Sequence, residues 1–181
     1  ADKPISYYAF EMLYWTGIRE GELLALTPAD FNFEKKTLRI NKSYQRLEGK
    51  DVITDPKTPK SNRTIVMPDF LAIEMEDFIK SIYGIKMNDR IFTISKSYLH
   101  HEMDRGAKLA GVKRIRIHGL RHSHISLLIN LGFSALAIGE RVGHDAVDIT
   151  YHYAHLFPTV QTDMAAQLET EREALVNVRK E

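Results

Sequence analysis

Apolar side chains crowd nearly every face of residues Ile5 to Trp15, the pattern of a buried helix, and Thr16-Gly17 supplies its stop. Ile18, Leu23, Ala25 and Leu26 then point one face of a second helix, Gly17 to Leu26, into a core, and Thr27-Pro28 ends it. Between Phe31 and Met67 the period shortens to that of strands. Thr37 to Tyr44 alternates, Glu48-Gly49-Lys50 reads as a turn, and Val52-Ile53-Thr54 and Arg63 to Met67 complete a small three-stranded antiparallel sheet.

The helical period returns at Pro68-Asp69 and persists to Gly84, with Phe70, Leu71, Ile73, Phe78, Ile79 and Ile82 as the apolar set. Further helices are expected from Ser97 to Ala110, closed by Gly111, and from His118 to Leu131, burying Leu120, Ile125, Leu127, Leu128, Ile129 and Leu131. Ser134 caps a short helix through Val142, and Gly143-His144 makes a turn. From Thr159 to Lys180 the stripe of Val160, Met164, Leu168, Leu175 and Val178 is thin, as on a charged rod that docks on a partner subunit or packs loosely on its own.

These elements amount to an α+β, mainly helical domain. The 181 residues, 44% hydrophobic and 27% charged, suit one globular domain with a real core. Cysteine is absent, which removes disulfides and thiolate metal sites and is compatible with a reducing cytoplasm. No apolar run approaches the roughly 18 residues that span a bilayer, and Ala1-Asp2-Lys3-Pro4 does not read as a signal peptide. The abrupt start in an apolar run suggests a domain cut from a longer protein.

The net charge of +1 hides an uneven distribution. From Arg105 to His124 there is no acidic residue, while Arg105, Lys108, Lys113, Arg114 and Arg116 lead into His118-Gly119-Leu120-Arg121-His122-Ser123-His124. The natural ligand for such a field is a phosphate. The connection from Asp55 to Arg63, kinked by two prolines, sets Lys57, Lys60 and Arg63 beside hydroxyls; it reads either as a solvated loop or as a means of placing an ammonium over a leaving group. Arg19, with Glu22 three residues on to hold it, is a cation set against the dipole of its helix, and the alternative is an exposed ion pair. His100 and His101 read as surface or half-buried side chains.

Several chemistries fail on these residues. His118 and His122 stand at i and i+4, yet the glutamate of a His-Glu-x-x-His zinc site is missing and Arg121 repels a cation between them. No Gly-x-Ser-x-Gly turn, Walker loop or Rossmann fingerprint occurs. A metal-free phosphoryl-transfer site remains: Arg19 and Arg121 as a clamp on non-bridging oxygens, a tyrosine as nucleophile, a histidine to accept its proton, and a lysine or second histidine to protonate the leaving hydroxyl.

Thr16-Gly17-Ile18-Arg19-Glu20-Gly21-Glu22-Leu23, Lys57-Thr58-x-x-Ser61-x-Arg63, His118-x-Leu120-Arg121-His122, Gly143-His144 and Tyr153-x-His155 occur in order and cover nearly the whole chain. Together they resemble the tyrosine recombinase, or phage integrase, family. The resemblance implies that residues 1–181 are its catalytic domain, beginning after the first helix and lacking the amino-terminal core-binding domain with which it would clamp duplex DNA. It implies Arg19 and Arg121 as phosphate-binding arginines, His118 and His144 as the two histidines of the site, Lys57 as general acid, with Lys60 its rival, and Tyr153 as the nucleophile that forms a 3′-phosphotyrosyl link. Tyr151 is excluded by the spacing from His144 and the Tyr-x-His pattern.

Neither metal nor cofactor is implied. Lys60, Arg63, Lys113, Arg114 and Arg116 are expected on the DNA-binding surface. The expected partners are double-stranded DNA and further protomers in a tetramer, with a carboxyl-terminal segment exchanged between neighbours, in the bacterial cytoplasm. The implied function is integration or excision of a phage or conjugative element. The competitors are a type IB topoisomerase and a DNA-binding module without catalysis.

Overall fold

The computed structural model describes residues 3–55, 61–157, 165–170 and 172. Helix α1, Ile5–Thr16, buries Ala9, Met12 and Leu13, and ends where Gly17 turns left-handed (φ 67°) and donates its N–H to Leu13 O. Helix α2 spans only Glu20–Ala25, shorter than the pattern of apolar residues suggested. Its start is fixed by Glu22, whose carboxylate accepts the backbone N–H of Arg19 at 2.8 Å. Arg19 is therefore the extended residue that caps the helix and not a member of its first turn, so its charge meets the dipole from outside.

The strands form two sheets. Strands β1 (Phe31–Asn32), β2 (Thr37–Ile40) and β5 (Arg63–Val66) make the three-stranded antiparallel sheet in the order β1-β2-β5, with Leu38 opposite Ile65 and Ile40 opposite Arg63. Strands β3 (Ser43–Leu47) and β4 (Lys50–Thr54) form a separate hairpin. The alternating run Thr37–Tyr44 is thus broken at Asn41-Lys42 and divided between the two sheets. The hairpin turn, Glu48-Gly49, has both residues at positive φ (48° and 79°), the backbone that matches the twist of paired strands.

Helices α3 (Asp69–Ser81), α4 (Lys96–Ala110), α5 (Ile117–Asn130), α6 (Ala135–Val142) and α7 (Ala146–Tyr153) follow. Gly111 and Gly143 close α4 and α6 in the left-handed conformation, and Ser134 caps α6 by accepting the Ala137 N–H. One core joins α1, α2, the three-stranded sheet and α3, with Leu23, Leu38, Leu71, Met75 and Phe92 wholly enclosed. A second, smaller one gathers Ile125, Ile129, Ile138, Val142 and Ile149 from α5, α6 and α7. Leu131, expected inside, is 61% exposed because α5 ends before it. Leu127 is half-buried. His100 is half-buried and His101 exposed. The expected helix from Thr159 to Lys180 lies mostly outside the described residues; within it, 165–170 and 172 are helical and exposed.

Candidate active site

The last carbonyls of a helix have no partner within it and carry its negative pole. At the end of α6, three consecutive carbonyls each receive a different guanidinium. Arg63 Nε donates to Arg141 O at 2.8 Å, an Arg121 terminal N–H to Val142 O at 2.6 Å, and an Arg19 terminal N–H to Gly143 O at 3.3 Å. The other terminal nitrogen of Arg121 donates to Gly17 O at 2.6 Å, so the stop of α1 and the stop of α6 hold one side chain between them. Gly139 lets the following turn close tightly: a Cβ there would lie 2.8 Å from His144 O.

Glu22 supplies the countercharge. Its carboxylate, buried in the domain, accepts from Arg63 twice (3.1 and 2.9 Å) and from the Arg19 guanidinium at 2.9 Å. Burial alone would raise its pKa, but the hydrogen bonds and charge of Arg63, with those of Arg19, carry it below the usual carboxylate value. Arg121 is only 2% exposed. Burial pushes its guanidinium down to about 9, nearby Arg19 and Arg63 act in the same direction, and Glu22 and Tyr153 oppose them. It remains a cation at neutral pH.

His144, half-buried beyond Gly143, is pushed down to about 4 by burial and by Arg121 and Arg19, so it is neutral at physiological pH. Partial burial, His122, Arg121 and Arg19 lower His118. The rings of His118 and His122 meet edge to face, with centroids 4.8 Å apart. Tyr153, half-buried at the end of α7, is hydrogen-bonded through its hydroxyl to His122 Nδ1. Burial raises its pKa and Arg121 lowers it, the first effect prevailing. Tyr151, two residues earlier, is 82% exposed.

Arg19, His118, Arg121, His144 and Tyr153 therefore surround one another at the junction of α2, α5, α6 and α7. Beside them opens a cleft of about 580 Å³ of mixed charge, lined by Arg19, Lys42, Lys96 and His144 and also by Glu22, Asp55, Asp145 and Asp148. Cations held on carbonyls and a protonated phenol make a pocket suited to an anion attacked by an oxygen nucleophile. Lys57 and Lys60 lie outside the described residues. Among the described residues, no group of three or more His, Asp or Glu side chains is arranged to hold a metal ion.

The DNA-facing set expected from the sequence divides. Lys113 and Arg116 are exposed at the approach to α5. Arg114 is exposed and pairs with Asp104 at 2.6 Å. Arg63 is corrected: it is 8% exposed, and its guanidinium is spent on Glu22, Ser61 O and Arg141 O, leaving no charge for a surface ligand.

Two supports were missed in the sequence. Arg141 reaches from α6 to Trp15 O at 3.1 Å and Val66 O at 3.0 Å, while its Nε donates to His124 Nε2 at 3.1 Å. His124 is buried and pushed down to about 4 by burial and Arg141. The i, i+4 spacing of His118 and His122 was the available signal for a third member, His122, which the structure sets against Tyr153.

Residues 2–159 match the phage integrase family. The chain is 30% identical to the ICEBs1 integrase of Bacillus subtilis over 174 residues, 88% of this chain and 47% of that protein. It is 31% identical to the integrase of Staphylococcus phage L54a over 179 residues, 89% of this chain and 51% of that protein. The chain thus spans about half the length of the curated relatives it matches. Among solved structures, the Tn1549 transposon integrase in complex with circular intermediate DNA superposes with a TM-score of 0.72 at 23% identity, covering 92% of this chain and 59% of that one. The XerA recombinase does so with a TM-score of 0.65 at 21% identity, covering 90% and 56%. Both likenesses are of fold.

Proposed function

This chain belongs to the phage integrase family, and from that premise we propose that it is the catalytic domain of a tyrosine site-specific recombinase, which cuts and rejoins double-stranded DNA through a 3′-phosphotyrosyl intermediate. The observation that carries this reading is the pair Arg19 and Arg121, hung on the adjacent carbonyls of Gly143 and Val142, with the Tyr153 phenol in the electrostatic reach of Arg121.

A phosphodiester seated on the two guanidiniums has its developing negative charge met by cations already fixed on carbonyls, which need no rearrangement during the reaction and no metal ion. Tyr153 Oη attacks phosphorus and displaces the 5′-oxygen, preserving the phosphodiester energy for rejoining. Neutral His144 and His118 are hydrogen-bonding groups for the phosphate oxygens. Lys57 is the proton donor to the departing 5′-oxygen, with Lys60 its rival. Lys113 and Arg116, with Lys60 and Arg114, make the surface that follows the DNA backbone.

The matched relatives are integrases of an integrative element and of a phage, and the Tn1549 neighbour was solved with DNA. These support integration or excision of a mobile element through DNA. We propose further, on points that these relatives do not address, a bacterial cytoplasm and a tetramer on DNA in which the carboxyl-terminal segment crosses to a neighbouring protomer. No described helix is long and apolar enough to cross a membrane.

The test is covalent trapping on nicked duplexes of randomised sequence, with EDTA present. The full chain is expected to yield a denaturant-resistant adduct that Tyr153→Phe abolishes while DNA binding survives. An adduct formed equally by Tyr153→Phe, or none by the unaltered chain, rejects the proposal.

A further inference from the structure

The resting phenol needs somewhere to send its proton, and the residues expected from the family resemblance name no side chain in contact with it. One is present. The Tyr153 hydroxyl is bonded to Nδ1 of His122, with ring centroids 5.9 Å apart and planes inclined by 43°. His118 stands behind, its ring at right angles to that of His122. Resting on the strand-cleavage reading above, we propose that His122 is a catalytic residue of the reaction, the acceptor of the Tyr153 proton during attack and its donor during rejoining.

In the forward step the phenolic O–H bond breaks and its proton moves to Nδ1. The Oη–P bond forms, the P–O5′ bond breaks, and the 5′-oxygen takes a proton from a separate acid, the role proposed for Lys57. In rejoining, a 5′-hydroxyl attacks phosphorus and gives its proton back to the base form of that separate acid, the P–O5′ bond forms, the Oη–P bond breaks, and Nδ1 returns its proton to the leaving phenolate. The imidazole must begin neutral with its remaining proton on Nε2.

The surroundings favour that state. Among the described residues, Arg121 and His118 on α5 and His152 on α7 are the charged or titratable groups that act on the pair, and none is acidic. Partial burial, Arg121 and His152 all lower the pKa of His122. Helix geometry makes the contact possible, because His122 lies one turn beyond His118 and shares its face, while α7 delivers Tyr153 from its last turn.

The test compares the unaltered full chain with His122→Phe and His122→Asn on nicked duplexes in which randomised flanks surround one defined scissile linkage. A second pool carries sulfur in place of the bridging 5′-oxygen. Both variants are expected to slow adduct formation about 100-fold near neutral pH, a usual scale for losing one acid–base group. His122→Asn is included because its amide oxygen accepts a hydrogen bond but takes no proton. The loss is expected to shrink as rising pH ionises Tyr153 directly. Sulfur, which leaves without protonation, is expected to rescue neither variant.

A variant that keeps the normal rate, or that sulfur rescues, overturns the assignment. Imidazole nitrogen NMR on the DNA-free chain supplies a readout independent of activity: Tyr153→Phe is expected to shift His122 Nδ1, and an unmoved resonance rejects the contact. If the unaltered chain makes no adduct while Nδ1 responds to Tyr153→Phe, the strand-cleavage reading has failed and the hydrogen bond has not.

Discussion

Arg63 and Glu22 face each other inside the domain through two parallel N–H···O bonds of 3.1 and 2.9 Å, and the same carboxylate holds Arg19 at 2.9 Å. One buried acid thus connects a strand of the sheet, the start of α2 and, through Arg63, the end of α6. Its removal strands Arg63 without a countercharge where water cannot replace it. Glu22→Ala is expected to destabilise the domain by about 3–5 kcal/mol, the usual penalty for breaking a buried pair on one side. Denaturant unfolding measures it, and a loss below about 1 kcal/mol would mean that the pair is not closed as described.

The split among the expected DNA contacts has its own signature. Lys113 and Arg116 are exposed, so Lys113→Ala and Arg116→Ala should each reduce the slope of log affinity against log salt by about 0.9 if each meets one phosphate. Neither should change the unfolding midpoint. Arg63→Met should do the reverse, lowering stability and leaving the slope unchanged. A reduced slope in Arg63→Met would return that residue to the DNA surface.

Much of the fold was legible because its stops are local. Gly17, Gly111 and Gly143 end helices at positive φ, a requirement that a single residue announces. The ordered motifs likewise contain Arg19, His118, Arg121, His144 and Tyr153, which lie near one another in the structure, while Lys57, in the motif of the strand connection, lies outside the described residues. What the sequence concealed were pairings between distant segments. Alternation from Thr37 to Tyr44 marked strand character but not the change of partner at Asn41-Lys42, and β1 is too short to carry a pattern.

Arg63 read as a loop cation because Glu22 stands 41 residues away, and the His122 contact with Tyr153 spans 31. Arg141, in a short helix, carries no sequence signal that sets it apart. Only the packing of Trp15, Val66 and His124 around it reveals that its guanidinium fastens α6 to the rest of the domain.

His124 gives the domain a sensitivity to acid. Its imidazole accepts the Arg141 Nε–H, so it must be neutral, and burial with Arg141 pushes its pKa from 6.5 to about 4. The unfolded chain therefore binds a proton there before the folded chain does. The contribution of this group is complete above pH 6.5 and is lost progressively as pH falls toward about 4. Unfolding free energy should decline across that window, and His124→Asn should flatten the decline. An unchanged pH dependence in that variant would remove His124 as the source.

Gly17 links backbone conformation to the setting of Arg121 in the proposed site. Its φ of 67° is one that side chains resist, and a Cβ there would lie 2.5 Å from His124 Cδ2, well inside van der Waals contact. Its carbonyl also carries Arg121. Gly17→Ala should therefore cost more than the roughly 1–2 kcal/mol of left-handed strain alone, because His124 must move as well and with it the hydrogen bond from Arg141. The same displacement shifts the carbonyl that sets Arg121, so covalent adduct formation should fall even under conditions where the variant is fully folded. Denaturant unfolding and adduct trapping on one preparation separate the two effects. A variant that loses stability but keeps the rate of trapping would show that Val142 O alone suffices to orient Arg121.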